Sequence, residues 1–300
     1  MIVALTGATG FVGGHLIDLA RAEGHQVRAL TRRAQPARPD VIWVEGALDR
    51  PLALGQLIAG TDAVIHVAGV VNAGDRAAFE RGNVDGTRAM VLACEAAGIR
   101  RFVHVSSLAA REPALSDYGW SKAGAEEAVT SSALDWTIVR PPAVYGPGDM
   151  EMFDIFRMAR LGVALMPPPG RMSVIHVNDL VRLLLALAVT DPGRVILEPD
   201  DGTVDGWSHA DFARAVGQAI GKRVTPLALP RSLLALAARA DRLVRGPKAK
   251  LTLDRVGYMC HPDWTANPAR QPPAALWAPR IATPTGLRET AEDYHAKGLL

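Results

Sequence analysis

Three glycines, Gly7, Gly10 and Gly13, stand between a short β-branched run at Ile2–Thr6 and a stretch whose apolar residues Leu16, Leu19 and Ala20 recur at helical spacing. This junction constrains the fold more than any other feature of the chain. A strand that passes into a helix through Thr6-Gly-Ala-Thr-Gly-Phe-Val-Gly13 needs glycine, because the backbone must turn tightly and approach an anion with no Cβ in the way. The helix that follows offers unpaired N–H groups and the positive end of its dipole. Alone, the motif also suits a plain Gly-rich turn. Its place at the head of a β-α-β series points to the pyrophosphate of a dinucleotide.

That series continues through the first half of the chain. Strand patterns at residues 26–30, 41–44, 63–67, 101–105 and 136–139 alternate with helical ones, clearest at 83–97 and 118–130. Strands separated by helices pair in parallel through right-handed crossovers, so the expected fold is α/β, a doubly wound parallel sheet of the Rossmann type. After Val144 the texture changes. Residues 150–165 read as a helix rich in Met and Phe, 173–177 as a short returning strand, and 179–189, 209–220 and 231–244 as further helices. The expected division is a dinucleotide-binding domain over 1–148, with 171–190 returning to it. A smaller C-terminal substrate lobe is expected over 149–170 and 191–300. The Met/Phe stretch faces either substrate or core, and packing is its ordinary role.

Composition narrows the partners. The 300 residues are 49% apolar and 21% charged, as in a globular enzyme-sized chain rather than a disordered one. The net charge is +2 and no long run of like charges occurs, so a small molecule is expected as partner, not nucleic acid or membrane. Cys94 and Cys260 lie far apart with no metal-type spacing, and no secretory leader is apparent ahead of the first strand. A reduced, cytoplasmic setting is the expectation. Apolar runs at 183–189 and 233–238 fall short of the roughly 18 residues that span a bilayer. His66, His104 and His176 lie on or beside strand patterns without ligand spacing, and no metal is expected.

Thr31-Arg32-Arg33 ends the second strand pattern with no acid. An NAD site puts Asp or Glu there to hold the ribose 2′-hydroxyl. A carboxylate would repel a 2′-phosphate, whereas two guanidiniums grip one through bidentate hydrogen bonds. Arg32 and Arg33 therefore favour NADP(H), with NAD(H) as the alternative, unless both are simply solvated surface arginines. Further on, Tyr118-Gly-Trp-Ser-Lys122 puts a phenol and an ammonium four residues apart, on one helical face. Tyrosine is a poor proton shuttle at its reference pKa of about 10, and an adjacent ammonium favours the phenolate. Ser106 and Ser107 end the fifth strand pattern just ahead of that helix. A hydroxyl there can donate to a carbonyl or alkoxide while the phenol transfers the proton.

Together these segments resemble the extended short-chain dehydrogenase/reductase family, in its epimerase/dehydratase-type branch. The similarity runs through residues 6–13, His66-Val-Ala-Gly69, Asn83-Val-Asp-Gly-Thr87, 102–107, 118–122, Arg140-Pro-Pro-Ala-Val-Tyr-Gly-Pro147 and His176-Val-Asn-Asp179. Gly286-Leu-Arg-Glu-Thr290 with Tyr294 is similar to the family's closing helix. The resemblance implies that Tyr118 is the general acid/base, and that Lys122 binds the nicotinamide ribose and tunes Tyr118. Ser107, or Ser106 beside it, would orient the reacting oxygen. It assigns cofactor contacts to Gly7, Gly10, Phe11, Val12, Gly13, Leu48, Ala68, Gly69, Ser106, Pro141 and Val144, with Asn83 supporting the active-site backbone. One departure stands out. Where the family often has Gly-Asp-Leu, this chain has Gly46-Ala47-Leu48, so the usual adenine-contacting Asp is missing unless Asp49 replaces it. Relatives often dimerise through paired helices, which makes a homodimer one option.

The expected activity is hydride transfer between NADP(H) and a carbonyl or secondary alcohol of a small molecule, with Tyr118 as acid/base. One alternative is a nucleotide-sugar epimerase or dehydratase that recycles NAD in place. Another is a non-catalytic dinucleotide-binding or assembly subunit, against which the retained Ser107, Tyr118 and Lys122 argue.

Overall fold

Six strands from the first half of the chain, β1 (Ile2–Thr6), β2 (Gln26–Thr31), β3 (Val41–Glu45), β4 (Ala63–His66), β5 (Arg101–Val105) and β6 (Asp135–Val139), join Val195–Leu197 in one seven-stranded sheet. The computed structural model describes residues 1–246 and 249–300. The sheet order is Val195–Leu197, β6, β5, β4, β1, β2, β3, and every pair is parallel. A strand in such a sheet is covered on both faces, so its side chains are apolar on both. In β4 all four residues are buried. The winding reverses between β1 and β4, which makes the carboxyl end of β1 the switch point where an open α/β sheet leaves its crevice.

Five helical segments accompany these strands: α1 (Phe11–Ala22), α2 (Pro51–Ile58), α3 (Arg76–Phe79), α4 (Gly86–Ala97) and α5 (Asp117–Thr130). Pro51 suits the first turn of α2, where its missing N–H would have no partner in any case. Gly98 ends α4 at φ +72°, a left-handed cap that costs glycine little. Leu54, Leu57 and Ile58 of α2 and Met90, Val91 and Cys94 of α4 pack with Phe102 of β5 in one buried cluster. Each large side chain buried there contributes about 1.5–3 kcal/mol.

The chain divides into two compact units. One comprises Met1–Arg140, Leu180–Leu197 and Pro272–Trp277; the other comprises Pro141–Asp179, Glu198–Gln271 and Ala278–Leu300. This differs from the sequence expectation at Pro272–Trp277, expected in the substrate lobe, and at two further places for reasons of strand pairing. Residues 143–145 and 174–176, expected with the dinucleotide-binding part, pair with each other in a separate parallel ribbon. Val195–Leu197, expected in the substrate lobe, pairs with β6 at the edge of the large sheet. The helix expected over 150–165 is also shorter. It spans Phe153–Arg160, and Gly162 at φ +77° turns the chain into a strand, Val163–Met166, that pairs with Thr225–Ala228.

The second unit is built around Tyr145, Phe156, Phe212, Leu287 and Tyr294, all buried. These come from its strand ribbon and from the helices Phe153–Arg160, His209–Ala219 and Thr283–Ala296. Among the described residues, no helix is long and apolar enough to cross a membrane.

Candidate functional site

The glycine turn follows β1 and closes on itself. Gly7 has φ +73°, and a Cβ there would lie 2.7 Å from the Ala68 backbone nitrogen. A Cβ at Gly13 would lie 2.1 Å from the Gly7 carbonyl oxygen. Both positions exclude any side chain, as a cradle for a close-lying anion requires. α1 begins behind Gly10 with no side-chain cap and no acidic residue in its first turn. Its leading N–H groups and positive dipole end are therefore not neutralised by the protein itself. Phe11 and Val12, half-buried, form that first turn. The donor set fits a pyrophosphate.

The loop after β4 is held from both sides. Ala68 N donates to Thr6 Oγ1 at 3.1 Å, and Thr6 Oγ1 lies 2.7 Å from His66 Nδ1. The other ring nitrogen of His66 lies 3.1 Å from Thr87 Oγ1 on α4. Burial, with the Lys122 charge adding to it, pulls the His66 pKa down to about 3, so the ring is a neutral strut. From the far side, Asn83 Oδ1 accepts from Val70 N at 2.6 Å, and its Nδ2 donates to Val70 O at 2.9 Å and to Ser121 Oγ at 2.8 Å. Asn83 lies in a π-helical turn, Glu80–Asp85, between α3 and α4. Such turns carry one residue more than an α-helix and re-aim the side chains they hold.

α5 supplies the phenol and the ammonium. Ser116 caps it, its Oγ accepting from Gly119 N at 2.9 Å. Tyr118 is half-buried, its ring centre 6.1 Å from that of Phe79. Lys122 is only 5% exposed, and its Nζ donates to the Val105 carbonyl at 2.8 Å. Desolvation lowers its pKa to about 8, against the opposing pull of the Glu126 carboxylate. A Cβ on Gly69 would lie 3.8 Å from Lys122 Nζ and 3.1 Å from Asn83 Oδ1. Loop 67–70 thus touches the glycine turn through Ala68 and the Lys122 helix through Gly69.

The two serines at the end of β5 differ. Ser106 is buried, and its hydroxyl donates to Glu126 Oε1, a carboxylate also gripped by the guanidinium of Arg140. Ser107 is half-buried and caps a short 3₁₀ turn, its Oγ accepting from Ala109 N at 3.2 Å. Accepting there leaves the Ser107 proton to donate elsewhere. Ser107, not Ser106, has a hydroxyl to offer a ligand.

The other sequence-derived positions scatter more. Arg32 and Arg33 are exposed just past β2, and among the described residues neither enters an ion pair. Leu48 packs toward Gly86, where a Cβ would lie 2.6 Å from its Cδ1. Asp49 is exposed, 3.9 Å from Arg50. Pro141 and Val144 belong to the second unit, where Val144 pairs with Ile175. His104 is buried beside His66, ring centres 5.5 Å apart, and His176 is buried in the second unit. Glu126, Arg140 and Ser121 were not singled out by the sequence. Glu126 is one helical turn beyond Lys122, and that spacing was the available signal.

A family profile described as NAD(P)H-binding matches residues 7–150. The "Ceramide reductase" of Caulobacter vibrioides is 37% identical over 100% of this chain and 96% of its own length. "Sterol demethylase protein B" of Methylococcus capsulatus is 32% identical over 62% of this chain and 66% of its own. Among solved structures, MoeE5 in complex with UDP-glucose and NAD is 24% identical with a TM-score of 0.76, over 99% of both chains. The human epimerase family protein SDR39U1 with NADPH is 20% identical with a TM-score of 0.76, over 97% of this chain and 99% of its own. The seven-stranded sheet, the closed glycine turn and these relatives agree: the chain belongs to the extended short-chain dehydrogenase/reductase family and is an NAD(P)-dependent oxidoreductase.

Proposed function

We propose that this chain reduces the carbonyl group of a lipophilic small molecule, reversibly, with NADPH. The observation that carries the reading is loop 67–70, which meets the glycine turn at Ala68 and Lys122 at Gly69. One ligand with a phosphate end and a reactive end can bridge two such features.

When bound, the nicotinamide supplies a hydride to the carbonyl carbon. The Tyr118 hydroxyl donates its proton to the carbonyl oxygen as that oxygen becomes an alkoxide, which completes the alcohol. Ser107 donates a hydrogen bond to the same oxygen and fixes its position. Lys122 holds a positive charge, at a pKa of about 8, beside the phenol and favours its ionised form once the proton has left. Asn83 keeps loop 67–70 and Ser121 in register and does not itself react. In the reverse direction the Tyr118 phenolate takes the alcohol proton.

Two further features support the finer points. Arg32 and Arg33, exposed and with no acid beside them in Thr31–Arg33, favour a 2′-phosphate over a free 2′-hydroxyl. The relative at 37% identity is named a ceramide reductase, which supports reduction over epimerisation and a lipophilic substrate over a nucleotide sugar.

Tyr118→Phe tests the assignment. It should lower kcat by about 10²–10⁴-fold and leave NADPH affinity by calorimetry within a factor of about two. Retained turnover would remove Tyr118 from the chemistry.

A further inference from the structure

The helix Arg231–Arg245 of the second unit is amphipathic in the wrong direction for a core helix. Leu233, Leu236, Ala237, Ala240, Leu243 and Val244 recur at i, i+3, i+4, i+7, i+10 and i+11, the spacing of one continuous helical stripe. All six are exposed, Leu243 and Val244 at 88% and 84%. The helix is attached through a different and narrower stripe, Leu234 and Ala238, packed with Val256. Leu165 and Leu227, opposite each other on the strand pair that leads into the helix, are also exposed. An apolar stripe of this regularity in water marks an interaction surface.

The charge around it identifies the partner. Along the sequence, residues 222–250 hold eight Lys and Arg against the single Asp241, a net +7 in a chain whose total is +2, with Lys250 paired to Asp154 outside the segment. The rest of the chain is therefore net acidic, at −5. Asp241 is itself occupied, accepting from Lys250 N and Leu251 N and pairing with Arg245. Arg239 is exposed on the flank of the apolar stripe, and Arg242 is exposed further round the helix. The near-neutral total, which argues against an anionic surface for the chain as a whole, conceals this segregation.

We propose that this helix docks the protein on the surface of a bilayer containing anionic lipid. The Leu/Val stripe enters the acyl boundary, while the arginine stems lie along it and carry their guanidiniums to the headgroup phosphates. At 15 residues the helix is too short to span and lies in the plane of the interface. A second copy of the chain fits less well, because it would bring one +7 segment against another. A protein partner fits less well too, because residues 231–245 contain none of the aromatic anchors that dominate protein interfaces.

The test uses the full chain and flotation with phosphatidylcholine vesicles, with and without phosphatidylglycerol. Binding is expected on the anionic vesicles, weakening as salt rises. Arg239→Gln should lower partitioning about fivefold, and Arg242→Gln, further from the stripe, by less. Leu236→Glu with Leu243→Glu should abolish it, with unchanged circular dichroism and unchanged turnover of a water-soluble carbonyl substrate. Equal binding to neutral vesicles, no binding to either, or loss of a dimer in sedimentation on Leu243→Glu would overturn the proposal. Vesicle binding needs no catalysis, so this outcome is separate from that of the proposed reaction.

Discussion

Replacing Lys122 by Met separates what the side chain does for the reaction from what it does to the fold. The ammonium is buried, and desolvation draws its pKa from 10.5 to about 8. At 1.36 kcal/mol per unit, keeping it charged in the folded protein costs roughly 3 kcal/mol at pH 7. The unfolded chain holds that proton up to 10.5, whereas the folded chain releases it from about 8. Stability from this group is therefore lowest below about 8 and rises with pH across the interval up to 10.5. Methionine keeps the stem's packing and removes the charge, but loses the bond to the Val105 carbonyl, worth about 1 kcal/mol. Lys122→Met should thus be more stable than the parent by about 2 kcal/mol at pH 7. That advantage should shrink by about 2 kcal/mol by about pH 9.5, where the parent lysine is neutral when folded. Urea unfolding at the two pH values, followed by tryptophan fluorescence without nucleotide, reads both numbers. Activity should fall by about 10²-fold or more. A variant less stable than the parent at pH 7, or a stability gap indifferent to pH, would refute the reasoning.

Two other substitutions follow from the site. Ser107→Ala should lower kcat by about 10²-fold, since it removes a hydroxyl whose proton is free to donate, and should cost about 1 kcal/mol of stability through the lost cap on Ala109 N. Ser106→Ala should weigh on the fold instead: unfolding becomes easier by about 1–3 kcal/mol, because Glu126 loses a buried donor, while turnover stays closer to the parent's. Chemical denaturation alongside steady-state kinetics distinguishes them, and equal effects on turnover would erase the distinction between the serines. Arg32→Ala with Arg33→Ala should raise the NADPH dissociation constant about 10–100-fold and leave that for NADH nearly unchanged, since each guanidinium contributes a charge-assisted hydrogen bond. Titration calorimetry checks both; a parallel loss for the two nucleotides would argue against 2′-phosphate recognition.

The strands of the large sheet were legible because burial on both faces leaves near-continuous apolar runs, as in β4 and β5. Helix α2 was not singled out, since Pro51–Ile58 is short and apolar nearly throughout, with no amphipathic period to mark it. Val195–Leu197 was hidden for another reason. Three residues among turn signals become a strand only by pairing with β6, more than fifty positions earlier. In the proposed site, Gly7, Gly13, Tyr118 and Lys122 were readable from local spacing, because each lies on its own turn or helical face. The choice between Ser106 and Ser107 was not. It depends on Glu126 and Arg140 converging from elsewhere, which no local pattern announces.

The π-helical turn at Glu80–Asp85 holds one residue more than an α-helix needs. An in-frame loss of a single codon there would let ordinary α-helical bonding run from α3 into α4, and the helix itself would be no worse for it. Side chains on either side of the deletion would swing by about 100° relative to one another. The Asn83 amide could then no longer serve both Val70 and Ser121. Better helical bonding would not repair the loss, because the same swing would carry Phe79 of α3 or Met90, Val91 and Cys94 of α4 away from the core they fill.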